Sequence, residues 1–143
     1  MAILDGLLTV DNQSALTTSR ASTDTIDLTV ARDLNGLEGG LELLFAFNTL
    51  PTAAGAATVT VEAQTSPDNA TWTTASSSGA VPIAQFTARR PGGGIRLAFP
   101  AAVARYVRLN YVIGTGPLTA GTITASFVLQ RDNSVYYARN YAV

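Results

Sequence analysis

The chain has 143 residues, enough for one domain with a substantial core. Apolar residues make up 47% and charged residues only 13%, so much of the surface must be Thr, Ser, Ala, Asn and backbone. The net charge of −1 gives no electrostatic case for nucleic acid, and the absence of Cys, His and Lys excludes disulfides, zinc sites, triads, Schiff bases and P-loops.

What remains for chemistry is Arg, Tyr and carboxylates, because all nine basic residues are Arg. Neither an enzyme, a metal nor a cofactor is expected. The opening MAILDGLLTVDNQSAL has Asp5 and Asp11 where a signal peptide would be apolar. No run reaches the roughly 20 apolar residues of a membrane span, so no membrane contact is expected.

Residues 1–24 read as an N-terminal arm. Within it, DNQSALTTSRASTD (11–24) is polar and without period, and such a segment is expected to gain structure only against a neighbour. Strand patterns then follow at TIDLTV (25–30), LELLFAF (41–47), TVTVEA (58–63), TWTTA (71–75) and VPIAQFTA (81–88). They continue at IRLAF (95–99), RYVRLNYVI (105–113) and TITASFVLQ (122–130). Period-two alternation and the Val, Ile, Thr and aromatic content argue strand over helix. Between them lie NGLEGG, PTAAGA, SPDN, SSSG, RPGGG and GTGPLTAG, the chemistry of turns. The fold class is therefore all-β: a single-domain, jelly-roll-like antiparallel β-sandwich of about eight strands over 25–130. Residues 131–143, RDNSVYYARNYAV, form a C-terminal tail. Trp72, Val107, Leu109 and Phe127 are expected in or beside the core, with Tyr106, Arg108 and Asn110 on the opposite strand face.

The stretch QTSPDNATWTT (64–74) admits three readings: a glycosylation acceptor at Asn69, a ligand-site turn ahead of Trp72, or a plain hairpin turn. No export signal is expected, so a glycosylated Asn69 is not expected either, and the hairpin is. Its pairing with ARYVRL (104–109) resembles discoidin-like sandwiches, where these residues are mostly framework.

Several residues suit a contact surface. Arg89 and Arg90 precede PGGG and could grip carboxylates with their planar forks, or simply be a solvated turn. Tyr136, Tyr137 and Tyr141 could anchor the tail on a neighbour, or close the chain's own sheet. Leu7 and Leu8 in the first arm, and Arg139 in the tail, complete the expected interface. The acid pairs Asp24/Asp27 and Glu38/Glu42 lack the dense oxygen pattern of a calcium loop and read as solvated strand ends.

Over nearly its whole length the chain also resembles the Bbp16 family of tailed-phage capsid cement proteins. The likeness rests on LEGG, VTVEAQTSPDNATWTT, RYVRLNYVIGTGPLTAGTITASFVLQRD and the Tyr-rich tail. It implies a non-enzymatic jelly roll, made in the host cytoplasm, on the outer surface of the virion capsid. The implied partners are the major capsid protein and further copies of itself, as a dimer or trimer near a local symmetry axis. A carbohydrate-binding sandwich on a virion or tail component is the alternative. Far-ultraviolet circular dichroism should show well under about a quarter helix, below the usual globular share; a larger helical signal would overturn the sandwich.

Overall fold

The computed structural model describes residues 5–34, 42–86, 95, 97 and 102–128. They form nine strands: β1 (Thr9–Ala15), β2 (Arg20–Ala21), β3 (Ile26–Asp27), β4 (Glu42–Thr52), β5 (Thr58–Ser66), β6 (Thr73–Ser77), β7 (Val81–Pro82), β8 (Tyr106–Gly114) and β9 (Ala120–Val128). One antiparallel sheet has the order β1-β9-β4, and the other β2-β8-β5-β6 with β3 on β8 and β7 on β5. This is the all-β sandwich the alternating runs require.

Alternation decides which face is inside. In β5, Val59, Val61 and Ala63 are buried, and in β8 Val107, Leu109 and Tyr111 are buried, with half-buried residues between. From the other sheet Leu43, Phe45, Phe47, Ile123, Ala125 and Phe127 meet them. Phe45 lies 5.3 Å from Phe47 and 5.9 Å from Tyr111 between ring centroids, so aromatic packing joins the two layers. Val107, Leu109 and Phe127 are thus core residues, as expected. Each large side chain buried here contributes roughly 1.5–3 kcal/mol of transfer free energy.

The sheets are irregular where β9 meets its partners. Register shifts occur between Phe47 and Thr49, between Thr49 and Thr52, and between Asp11 and Ser14. Hydroxyl groups take over some of the hydrogen bonding there. Thr122 Oγ1 accepts from the Thr49 amide (3.1 Å), Thr124 Oγ1 accepts from the Gln13 amide (3.3 Å), and Thr52 pairs with Thr119 (2.7 Å). Gly121, at φ 152°, sits where a Cβ would come within 3.3 Å of the Leu16 carbonyl and the Phe47 ring. Its carbonyl accepts from the Leu16 amide, which draws the segment after β1 close to β9.

Three expectations are corrected. The polar segment 11–24 is not a free arm: β1 pairs with β9, and β2 pairs with β8 in the opposite sheet. Alternation is hidden in β1 because bulges break its period and because one inward residue is an aspartate. Of the run 81–88, the described residues 81–86 are a two-residue strand followed by a 3-10 turn, Ile83–Gln85, that delivers Phe86 against Phe45 and Phe47. Of 25–30, only Ile26–Asp27 is strand.

Asp11 is the inward residue that holds this crossover. Its side chain is fully buried, and its Oδ1 accepts from Arg20 Nη2 (3.0 Å), Thr23 Oγ1 (2.7 Å) and the Thr23 amide (3.3 Å). Its Oδ2 accepts from the Tyr111 hydroxyl at 2.7 Å. Burial pushes the Asp11 carboxyl up, yet the hydrogen bonds from Thr23, Tyr111 and Arg20, with the Arg20 charge, hold it below the usual carboxylate range. The Tyr111 hydroxyl is driven far up by burial and by the neighbouring carboxylate, so it stays a donor.

A folded-state pKa below the unfolded value of about 3.9 contributes stability above that pH and loses it as pH falls through the folded value. Thermal melts of the wild type should therefore drop below about pH 4. Asp11→Asn should be less stable than the wild type at pH 7, by about 1–3 kcal/mol, and should show a shallower acid loss. Equal acid slopes in the two proteins would overturn this role for Asp11.

Candidate interaction surfaces

The β5–β6 hairpin explains the stretch that admitted three readings. Asp68 Oδ1 accepts from the Ala70 and Thr71 amides (2.9 and 2.8 Å) and from the Ser66 hydroxyl, and Asn69 takes φ 58°. These bonds, led by the Thr71 amide, hold the Asp68 carboxyl down to about 2. This is a hairpin turn locked by one aspartate, a local side-chain-to-backbone closure.

The turn places Trp72 on the outer face of the larger sheet rather than in the core. Register pairs Gln64 with Arg108 and Glu62 with Asn110, and all four alternate with buried neighbours, so they point outward. Arg108 lies 4.0 Å from the Trp72 ring centroid and donates from Nε to Gln64 Oε1 (2.9 Å). Gln64 Nε2 in turn donates to Glu62 Oε2 (3.3 Å), which also accepts from Asn110 Nδ2 (2.9 Å) and Thr74 Oγ1 (3.5 Å). A cation and an anion are thus linked through an amide across three strands. The sequence placed Arg108 and Asn110 on one face, but only strand register brings Glu62, Gln64 and Trp72 to them.

Of the carboxylates weighed as possible acids, Asp27 has structural partners. Asp27 receives both Arg105 Nε (2.8 Å) and Nη2 (2.7 Å), and also accepts from the Thr29 amide. Arg105, followed by that amide, holds the Asp27 carboxyl down to about 2, which makes it an anion and a poor proton donor. Among the described residues no group of three or more His, Cys, Asp or Glu side chains could hold a metal.

Of the interface residues expected from the sequence, Leu7 is 86% exposed, while Leu8 is half-buried against the core. The 3-10 turn Gly6–Leu8 that carries them is capped by Asp5 Oδ1, which accepts from the Leu7 amide, and it abuts β9. Arg89, Arg90, Tyr136, Tyr137, Arg139 and Tyr141 lie outside the described residues, as does Glu38.

The Bbp16 family model matches residues 10–127, from the buried end of β1 to the end of β9. The chain belongs to the Bbp16 family. This Bbp16 domain therefore includes the crossover built on Asp11 as well as the Asp68 hairpin and the outward ladder on β5 and β8. The family is phage-related, which makes the chain a phage-associated structural protein. No curated protein matches the chain.

A half-exposed Trp72 stacked under a guanidinium gives a smaller stability term than a core ring. Trp72→Ala should cost about 1–2 kcal/mol, the scale of a cation–π contact plus partial burial. Phe45→Ala should cost about 3–5 kcal/mol. Urea unfolding of the two variants checks the order, and a Trp72 loss equal to that of Phe45 would return the ring to the core.

Proposed function

We propose that this Bbp16 domain is a capsid cement protein that binds the outer surface of the major capsid lattice and stabilises the head by bridging neighbouring capsomers. Membership of a phage-related family across residues 10–127 carries the reading. The physical character of the domain suits it. A sandwich locked by an ion pair on a buried carboxylate and by hydroxyl bonds at its bulges is a rigid spacer. In a lattice, many weak contacts add through multivalency.

The protein acts by binding rather than by catalysis, as a homo-oligomer on the particle exterior. Leu7, 86% exposed, suits a contact covered by a neighbour, since buried apolar area yields about 25 cal/mol per Å². The aromatic and basic residues Tyr136, Tyr137, Arg139 and Tyr141 extend that contact from the other end of the chain.

Heads assembled without the protein should rupture at a lower temperature, and purified protein added back should restore the wild-type value without any cofactor. Deleting residues 132–143 should lower occupancy on heads. Saturating re-addition that leaves the rupture temperature unchanged would overturn the cement role.

A further inference from the structure

The outward row of β8 runs Tyr106, Arg108, Asn110, Val112. Arg105 stacks on Tyr106 at 4.8 Å and is neutralised by Asp27. Arg108 is different. Among the described residues it takes part in no ion pair, the pairs there being Arg20–Asp11 and Arg105–Asp27. Its Nε is used by Gln64, and its flat face by Trp72, but the described residues offer its terminal nitrogens no acceptor. Burial without a carboxylate partner pulls its pKa down. Two residues beyond Asn110, Val112 is 39% exposed in the same row.

Three properties converge on this face. Trp, Tyr and Arg are the residue types that dominate binding hot spots. The Arg108 side chain is already immobilised by its stack and by Gln64, so docking would cost it little further entropy. The terminal edge of a guanidinium held this way has the fork geometry that a carboxylate accepts in two parallel bonds. The nearby anion, Glu62, is already occupied by donors from Gln64, Asn110 and Thr74 and leaves Arg108 unneutralised.

We infer that the outer face of the larger sheet, centred on Arg108 and Trp72, is a docking surface for a partner protein that presents a carboxylate to Arg108 and apolar side chains to Trp72 and Val112. This rests on the cement reading and assigns it a face: the partner is an acidic patch of the capsid lattice.

The test uses the full chain and heads assembled without it. Wild type, Arg108→Gln and Arg108→Glu are titrated onto heads, and bound copies are counted after sedimentation. Because Trp72 is the chain's only tryptophan, its emission reports this face alone. The half-saturating concentration should rise about tenfold or more for Arg108→Glu, where like charges would meet, and less for Arg108→Gln. Wild-type emission should shift to shorter wavelength on binding. Should Arg108→Glu fail to fold, the glutamine variant and the wild-type emission shift still decide the matter. Equal half-saturation for all folded forms, or binding with unchanged emission, overturns the docking face while leaving the cement role standing. Wild type that does not bind heads overturns both.

Discussion

A buried carboxylate shared by three segments of chain is the constraint on which the sandwich turns. Asp11 belongs to the smaller sheet, Tyr111 to the larger, and Arg20 and Thr23 to the segment that crosses between them. A lone charge in this position would be prohibitive, whereas one cation and three further donors make it tolerable and specific. Of the polar residues between β1 and β3, Arg20 and Thr23 therefore act as ligands of a single aspartate. Arg20 completes the arrangement by lying 5.3 Å over the Tyr111 ring and donating to the Ala15 and Ala21 carbonyls.

The same economy of charge governs the two outer faces. On the smaller sheet, Thr and Asn side chains bond one another across β4 and β9, with Thr124 donating to Asn48 and Thr122 to Thr49. On the larger sheet the ladder contains one cation and one anion separated by Gln64. Such cross-strand pairs each contribute a few tenths to about 1 kcal/mol, and they hold the register that apolar alternation alone leaves open to slippage.

Much of the architecture was readable from residue order. Alternation in VTVEA and YVRLNY announced which side chains go inward, and both strands obey it residue by residue. The Ser-Pro-Asp-Asn turn announced its hairpin, since Asp and Asn close such turns through their own side chains. By itself the sequence also determined the all-β class and, by lacking His, Cys and Lys, the narrow range of chemistry open to the chain. It carried the family likeness as well, because the distinctive blocks are contiguous.

What only the tertiary structure decided is long-range. β1 reads as an arm in the sequence because its bulges erase the two-residue period and because Asp11 looks like a surface residue until Tyr111, 100 positions away, reaches it. From its place after the turn Trp72 is expected in or beside the core, yet it lies on the outer face, because Arg108 faces away from Val107 and Leu109 and takes the indole with it. Strand register sets both outcomes. It depends on the summed packing of two sheets, and no local stretch of residues encodes it.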